Sequence, residues 1–357
     1  MEFKVSNDTI LELKDVKVTF KMSEGDLVAI DGIDLYIERG KTLGIVGESG
    51  CGKSVTSGAI MRILPKYGLI EGDILLYEKN GERLETPVNI TELSNNGPEM
   101  RSIRGRNISM IFQEPMKAFS PILTIGDQVT EPILLHITQD KEEAYKIAAE
   151  MFTKVGISNP EQRLNEYPHQ LSGGMRQRAM IAMALSSNPS ILIADEPTTA
   201  LDVTIQAQVL SLINNLKKDI GTSVIFITHD LGVIAEMSDN VAVMYLGKVV
   251  EYTDVKKLFA NPQHPYTVAL MEAIPSVAKT TKSKLKSIPG IVPVPINLPP
   301  VCGFYNRCDF AEEGVCDTLD IPLIEYEPGH IVRCKKCVPK NESGGEVKKQ
   351  EKVVTTV

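Results

Sequence analysis

The chain lacks tryptophan altogether, and phenylalanine and tyrosine make up only 5% of its 357 residues. An aromatic side chain that stacks on a ligand must therefore be phenylalanine or tyrosine. No apolar run approaches the roughly 18 residues that a membrane-spanning helix needs. The first twenty residues contain no uncharged apolar block of the kind that a secretory signal requires. We expect a cytoplasmic protein whose association with a membrane is peripheral.

The excess of acidic over basic residues excludes another class of protein. Asp and Glu number 46 against 38 for Lys and Arg, which gives a formal net charge of −8. Non-specific nucleic-acid binding rests on neutralisation of phosphates by Lys and Arg, so we expect no nucleic-acid partner. Hydrophobic residues make up 43% of the chain, enough for a core, and at about 100–200 residues per domain the length predicts two or three domains.

The hydrophobic pattern predicts an α/β protein. Short alternating segments are typical of strands with one buried face, and β-branched apolar runs indicate buried parallel strands. A longer central stretch has helical periodicity. The predicted elements are strands within 10–37, 42–46, 191–194 and 224–228, helices over 126–185 and 203–218, and a polar loop over 78–107.

A phosphate-binding loop follows the predicted strand 42–46. Residues 47–54 match G-x-x-x-x-G-K-[ST] and precede a predicted helix. Glycines let backbone N–H groups turn toward phosphate oxygens, and the following helix presents the positive end of its dipole. We expect Lys53 to reach the β- and γ-phosphates and Ser54 to bind Mg²⁺. The residues predicted to bind nucleotide in this loop are Gly47, Ser49, Gly50, Cys51, Gly52, Lys53 and Ser54.

Cys51 occupies a variable position of this loop. The loop requires only a small residue there, which is the simpler interpretation. Alternatively, the positive end of the following helix lowers the pKa of the thiol and makes it reactive.

Two carboxylates follow the apolar run 191–194. The carboxyl ends of parallel strands carry the sites of α/β proteins, so Asp195 and Glu196 are placed for chemistry. We expect Asp195 to hold Mg²⁺, directly or through water. We expect Glu196 to orient or deprotonate an attacking water.

A second anion site is predicted at the start of the helix that follows Leu171. Ser172 is a suitable N-cap, and Gly173 and Gly174 expose backbone N–H groups at the helix start. Because one phosphate loop already exists, the second site makes sense if it serves a nucleotide held by another chain.

The segment 171–177 resembles the signature motif of ATP-binding-cassette (ABC) ATPases, and the resemblance extends from about residue 8 to residue 260. It implies an ABC ATPase domain over 1–260. This domain would have a P-loop NTPase (RecA-like) core, an antiparallel β subdomain and a helical subdomain at about 100–185. The resemblance also implies a head-to-tail dimer, in which ATP lies between the phosphate loop of one chain and the signature helix of the other.

The same resemblance assigns roles to single residues. Gln113 matches the Q-loop glutamine, which binds Mg²⁺ and takes part in catalysis. Asp202 matches the D-loop, and His229 matches the switch histidine that contacts the γ-phosphate. Phe20 fits the aromatic residue that stacks on adenine.

Five of the six cysteines lie within residues 302–337. Only the last two form a C-x-x-C pair, so the paired C-x-x-C pattern of zinc sites is absent. Four of the five could hold a zinc ion or an iron–sulfur cluster, and free thiols in a loop are the alternative. The five are Cys302, Cys308, Cys316, Cys334 and Cys337.

Residues 261–270 and 289–308 resemble the C-terminal extension of dipeptide and oligopeptide importer ATPases. We expect a small cysteine-rich C-terminal module over 261–339, followed by a disordered tail over 340–357. Some members of that family carry a [4Fe–4S] cluster. The resemblance therefore implies a cluster, with Zn²⁺ as the alternative, and leaves Cys337 over. Its implied ligands are Cys302, Cys308, Cys316 and Cys334.

We therefore expect the ATP-binding and ATP-hydrolysing subunit of an importer that carries di- or oligopeptides through a membrane permease. Its expected partners are a second ABC ATPase subunit (a different chain or a copy), two permease subunits and, indirectly, a solute-binding protein. The expected location is the cytoplasmic face of the membrane, with the permease contact at Met116, Phe119 and Leu123. The alternatives are an importer ATPase for nickel or another small solute, and a soluble ABC ATPase whose cysteine module senses redox state or metal.

Overall fold

The computed structural model describes residues 6–114, 118–199, 201–273 and 288–337, which form two β-sheets with helices packed around them. The predicted tail over 340–357 lies outside these ranges. No helix within them is long and apolar enough to cross a membrane.

The first sheet is antiparallel. Its strands are β1 (Thr9–Met22), β2 (Gly25–Glu38), β4 (Gly68–Lys79) and β5 (Glu82–Asn89). They lie in the order β2-β1-β4-β5. Side chains alternate between the two faces of a strand, and the inner face is apolar: Val16, Val18, Ile30 and Ile33 are all buried. This sheet contains the strands predicted from the alternating N-terminal segments, and it corresponds to the antiparallel β subdomain that the family resemblance implies.

The second sheet holds the predicted parallel strands. Its strands are β3 (Thr42–Val46), β6 (Ile108–Ile111), β7 (Ile191–Asp195), β8 (Ser223–Thr228), β9 (Asn240–Tyr245), β10 (Lys248–Asp254), β11 (Ile324–Glu327) and β12 (His330–Val332). The order is β11-β12-β10-β9-β3-β8-β7-β6. The five strands from β9 to β6 are parallel, and the other three are antiparallel. Every residue of β3, β7 and β8 is buried. This is expected for parallel strands, because both faces of a parallel sheet are covered.

Helices cover the sheets and build a separate hydrophobic cluster. They are α1 (Lys53–Ile60), α2 (Pro98–Ile103), α3 (Ile125–His136), α4 (Lys141–Lys154), α5 (Pro160–Leu164), α6 (Gly173–Leu185), α7 (Val203–Ile220), α8 (Leu231–Met237), α9 (Val255–Ala260) and α10 (Pro265–Glu272). The region 126–185 is helical as predicted, with α3 to α6 packed around Ile133 and Phe152. Helix α7 ends at Gly221, whose φ of 78° is the left-handed conformation that glycine adopts without strain.

The segment 78–107 contains β5 and α2, so the prediction of a polar loop there was wrong. β5 is the edge strand of its sheet, and none of its residues is fully buried. An exposed edge strand needs no apolar alternation, so the sequence gives no strand signal there.

The C-terminal region is not a separate module, contrary to the prediction. β12 pairs with β10, with Ile331 opposite Tyr252, and so extends the central sheet. Phe304 is buried, with its ring centre 5.3 Å from that of Tyr245 and 5.4 Å from that of Tyr266. The physical reason is that β10 would otherwise be an open edge, which β12 and β11 cover.

A buried polar network joins β10 to α10 and β12. The Glu251 carboxylate, with no exposed surface, accepts hydrogen bonds from the backbone N–H groups of Gln263 (2.8 Å) and His264 (2.9 Å). His330 Nε2 lies 2.7 Å from its Oε1. His264 Nδ1 in turn accepts from the N–H of Tyr266 at 3.1 Å. A buried carboxylate is costly unless it is hydrogen-bonded, so these contacts fix the start of α10.

Two buried groups give the fold opposing pH dependences. Burial lowers the pKa of His264 from 6.5 to about 4. The charge of Arg333 lowers this pKa further, whereas the charge of Glu251 raises it. The unfolded chain therefore binds the extra proton between these values, and stability falls as pH drops from 6.5 to 4. Burial raises the pKa of Asp34 from 3.8 to about 6, so this carboxyl contributes the opposite slope.

Because of His264, the free energy of unfolding should fall by up to about 3 kcal/mol as pH drops from 6.5 to 4. We predict that His264→Asn abolishes this fall. Asn retains an acceptor for the Tyr266 N–H. The matched variant Asp34→Asn removes the opposing slope and makes the loss steeper. Urea unfolding of the full chain at a series of pH values measures both, and parallel profiles for the two variants would contradict the assignment.

Candidate active site

Two glycines of the phosphate loop are required by close backbone approach. A Cβ on Gly47 would lie 2.2 Å from the carbonyl oxygen of Met244. Gly52, the N-cap of α1, has φ of 101°, and a Cβ there would lie 2.5 Å from the carbonyl oxygen of Ala29. The loop therefore keeps its shape only with glycine at both positions. Ser49 and Gly50 are exposed at its tip.

Lys53, at the first position of α1, turns back over the loop. Its Nζ donates to the carbonyl oxygens of Gly47 at 2.8 Å and Glu48 at 3.0 Å, and lies 4.0 Å from Oε1 of Glu196. The residue is only 5% exposed. The Lys53 ammonium is thus held at the loop by carbonyl oxygens. Phosphate oxygens are charged and accept stronger hydrogen bonds than carbonyl oxygens do, so a bound nucleotide can take their place.

Ser54 and Asp195 meet at the start of α1. The Ser54 hydroxyl donates to Oδ1 of Asp195 at 3.0 Å, and the Ser57 hydroxyl donates to Oδ2 at 3.0 Å. Burial raises the pKa of Asp195, against the hydrogen bonds of the two serines and the charge of Lys53. A hydroxyl beside a buried carboxylate fits Mg²⁺, which prefers oxygen ligands. Bound with ATP at Ser54 and Asp195, Mg²⁺ would neutralise charge on the β- and γ-phosphates.

Glu196 is the centre of the site. Its backbone has φ of 46°, a strained conformation for a residue other than glycine. Its Oε2 accepts from Gln113 Nε2 at 3.2 Å and lies 3.4 Å from His229 Nδ1. The Thr199 hydroxyl also donates to Oε2, at 2.9 Å. The three residues predicted to be catalytic are therefore in contact, each placed just beyond the end of β6, β7 or β8.

This arrangement fits hydrolysis. The carboxylate of Glu196 is oriented by three neighbours and can take a proton from water. The side chain of His229 is 61% exposed, at the open side of the cluster, where a γ-phosphate can reach it. Thr199 was missed in the sequence, where a threonine three residues after a carboxylate carries no distinctive signal.

The signature segment forms a helix start with Ser172 as its N-cap, as predicted. The Ser172 hydroxyl caps α6 by accepting from the N–H of Met175 at 3.3 Å. A Cβ on Gly173 or Gly174 would meet nothing within 4 Å, so there is free space at the side-chain position of both glycines. The Gln177 side chain donates to the carbonyl oxygen of Pro197, which ties α6 to the loop after Glu196. Recognition of a second nucleotide at this helix stays a prediction.

Phe20 and Asp202 have clear local contacts. The Phe20 ring meets that of Tyr67 edge-on, with centres 5.8 Å apart. Asp202 caps α7 by accepting from the N–H groups of Thr204 and Ile205, both at 3.0 Å. Adenine stacking and a D-loop role stay predictions for these two residues.

The hypothesis that Cys51 is a reactive thiol is wrong. Cys51 has no exposed surface, and burial raises the pKa of its thiol despite the nearby charge of Lys53. The helix start is too weak to offset desolvation here. The simpler interpretation, a small residue that fits the loop, agrees with this burial.

The C-terminal thiols gather in one region but do not form a ready ligand set. Burial raises the pKa of Cys302 to about 11, and the charges of Cys316, Cys334 and Cys308 raise it further. A hydrogen bond from Cys337 lowers the pKa of Cys334. Nevertheless, within the described ranges no three or more Cys, His, Asp or Glu side chains are grouped so that they could hold a metal ion. The predicted four-cysteine metal site is thus not supported by the geometry.

The phosphate loop, the Ser54–Asp195 pair and the cluster around Glu196 together define a nucleotide-hydrolysing cassette of the P-loop class. Comparison with known proteins makes the assignment more specific. The ABC transporter family matches residues 30–199, and the C-terminal region of oligopeptide/dipeptide transporters matches residues 250–316.

Individual relatives agree along most of their length. A protein of Sinorhizobium fredii named as a probable peptide ABC transporter ATP-binding protein is 48% identical over 94% of this chain and 97% of its own. The oligopeptide transport ATP-binding protein AppD of Bacillus subtilis is 48% identical over 91% of this chain and 96% of its own. The chain therefore belongs to the family of ABC transporter ATP-binding proteins, and its site is an ATPase site.

A solved structure supports the fold of the cassette. The ATP-binding cassette MJ0796, in a dimeric post-hydrolysis state bound to ADP and Pi, aligns with a TM-score of 0.58 at 29% identity. The alignment covers 69% of this chain and 99% of that chain.

We predict that Ser54→Ala raises the Mg²⁺ concentration for half-maximal ATP hydrolysis at least about tenfold, because it removes an oxygen expected to bind the ion. Ser57→Ala is the matched control, since Ser57 donates an equivalent 3.0 Å hydrogen bond to Asp195 from one turn further along α1. It should change the Mg²⁺ requirement by less than about threefold. Magnesium titrations of ATPase activity measure both, and equal shifts would contradict the proposed ion position.

Proposed function

We propose that this ATPase powers the import of di- or oligopeptides through a membrane permease. The observation that carries the cargo proposal is the match of residues 250–316 to the C-terminal region of oligopeptide/dipeptide transporters. Relatives named for peptide or oligopeptide transport, identical at 48% along nearly their whole length, support it. The cargo itself contacts other subunits, so the chain's own part is to convert ATP hydrolysis into movement.

Each residue of the site has a part in the proposed cycle. Lys53 and the backbone of the phosphate loop hold the β- and γ-phosphates. A partner cassette, either a different chain or a copy of this one, presents the helix start that corresponds to Ser172 to the same nucleotide, and the dimer closes. Glu196 accepts a proton from the attacking water at a carboxylate oxygen, with Gln113 and His229 holding that carboxylate in place. Loss of the γ-phosphate removes the contact between cassettes and the dimer reopens.

The proposed assembly contains a second ABC ATPase subunit, two permease subunits and a solute-binding protein, at the cytoplasmic face of the membrane. We assign the cassette to about 1–260 and the importer-type extension to 261–339. In the expected permease contact, Met116 lies outside the described residues. Phe119 is only 5% exposed and packs in the helical cluster, so its inclusion was wrong. Ile122 (80% exposed) and Leu123 (46% exposed) carry the contact instead.

We predict that Glu196→Gln abolishes peptide uptake while it preserves ATP binding and holds the dimer closed. The amide keeps the shape of the side chain but cannot accept the proton, and hydrolysis should fall about 100-fold or more. The measurement is uptake of labelled di- and oligopeptides in cells of the source organism that express either form of the chain. Asp320→Asn, at an exposed site away from the nucleotide, is the control and should support normal uptake.

Two results would contradict parts of this proposal separately. Rapid ATP turnover by Glu196→Gln would remove the catalytic role of that residue. If cells with Glu196→Gln took up peptides normally but lost the uptake of nickel or another solute, the chain would still be a transport ATPase, and that solute would replace peptides as the proposed cargo.

We also propose that Cys302, Cys308, Cys316 and Cys334 hold a [4Fe–4S] cluster, with Zn²⁺ as the alternative. Support comes from the chemistry of the thiols: besides burial, the charges of neighbouring cysteines raise the pKa of Cys302 and of Cys308, as thiols that lie in one region do. Lys335 and Lys336 adjoin the last of them and offset thiolate charge. A bound cluster would serve as a structural link between three segments of the C-terminal region. No step of hydrolysis depends on it.

We predict about four irons and four sulfides per chain in protein purified without oxygen, with a visible colour that bleaches on reduction. Cys316→Ser should lose the iron, whereas Cys337→Ser should keep it, because Cys337 is left over from the ligand set. If the protein contained one zinc per chain and had no colour, the proposed site would be a zinc site and not an iron–sulfur cluster. Absence of both metals would leave the cysteines as free thiols.

A further inference from the structure

Glu48, the second residue of the phosphate loop, turns its side chain toward the C-terminal region. Its carboxylate receives two hydrogen bonds from the guanidinium of Arg307, at 2.7 and 3.0 Å. These residues are 259 positions apart in the sequence. Such a paired, charge-assisted contact is among the strongest that side chains make, and it fixes direction as well as distance.

Arg307 is held in place by its own surroundings. Its Nε donates to the carbonyl oxygen of Pro289 at 2.8 Å, and one terminal nitrogen lies 3.3 Å from the hydroxyl of Tyr245. The residue is only 7% exposed. A guanidinium with these fixed partners has little freedom to leave Glu48, so the pair acts as a rigid connection.

The backbone of Glu48 is held by the same region. Its N–H donates to the hydroxyl of Tyr266 at 2.8 Å, and Tyr266 has no exposed surface. Its carbonyl oxygen accepts from Lys53, the residue that reaches the phosphates. The main chain and the side chain of Glu48 are therefore both fixed. The lysine expected to bind the phosphates is hydrogen-bonded to this same residue.

Charge gives the contact a consequence for ATP. A carboxylate within a phosphate loop repels the phosphates of ATP unless a cation neutralises it. Arg307 supplies that cation, with its guanidinium 2.7 Å from the Glu48 carboxylate. Loss of Arg307 would leave a part-buried carboxylate unpaired beside the binding site, which is much costlier than loss of the pair as a whole.

We propose that Arg307 is a positioning residue for the phosphate loop, which neutralises and orients Glu48 so that the loop binds ATP tightly. The C-terminal region, known in relatives as part of transporters, thereby becomes a part of the nucleotide site. This inference concerns ATP alone. It stands or falls independently of the transported cargo.

The test is a double-mutant cycle, read as the Kd of Mg-ATP for the full chain by equilibrium binding and as KM and kcat for hydrolysis. Arg307→Met should raise Kd and KM about tenfold with kcat changed less than twofold, since the unpaired carboxylate repels ATP before chemistry begins. Glu48→Gln alone should change Kd less than threefold. The double variant should recover nearly to the Glu48→Gln value, because the charge that repels ATP is gone.

Two further variants complete the cycle. Arg307→Lys keeps the charge without the two-pronged contact, so its Kd should lie between those of the parent and Arg307→Met. If the Arg307→Met protein does not fold, Arg307→Lys replaces it in the cycle and is combined with Glu48→Gln in the same way. Asp320→Asn is the matched control, because it breaks a 2.6 Å contact to Lys248 between the C-terminal region and β10 but does not touch the loop. Its Kd should equal that of the parent.

Three results would overturn the proposal. The first is an unchanged Kd in Arg307→Met. The second is a double variant that binds ATP as weakly as Arg307→Met, which would place Arg307 in another role. The third is an equal loss in Asp320→Asn, which would reduce the effect to general damage of the C-terminal region.

Discussion

Parallel pairing of β7 with β8, and of β8 with β3, is the constraint from which the active site follows. Hydrogen bonds between these buried strands fix their carboxyl ends along one edge of the sheet. The phosphate loop, the two carboxylates and His229 each begin at one of these ends. Their mutual distances are therefore set by strand spacing, with few side-chain contacts needed to assemble them. The strained backbone of Glu196 is tolerated because the strand before it and Thr199 after it leave little alternative.

The sequence allowed most of this site to be predicted, because each part has a local signal. A glycine-rich loop needs particular residue types, and buried parallel strands are apolar throughout, so β3, β7 and β8 could be located before the structure. The edge strand β5 and the short strands β11 and β12 could not. Their residues are few or exposed, and they become strands only through a neighbour that the sequence does not reveal.

Contacts between distant parts of the chain were also beyond local reasoning. Nothing in the residues next to Glu48 indicates that its carboxylate lies on Arg307, and nothing next to Cys51 indicates that burial outweighs the helix start. For the same reason the C-terminal cysteines suggested an independent module. The cysteines cluster in sequence, but the aromatic packing of Phe304 on Tyr245 and Tyr266 merges their region with the central sheet.

The completion of the central sheet by β12 also bears on how the chain can be shortened. A chain that stops after α9 would keep every nucleotide motif, yet β10 would become an open edge with unpaired backbone groups. Glu251 would at the same time lose the two backbone donors and the histidine that offset its burial. Trimmed versions of this cassette would thus be prone to self-association through β10, and the natural boundary for expression lies beyond Val332.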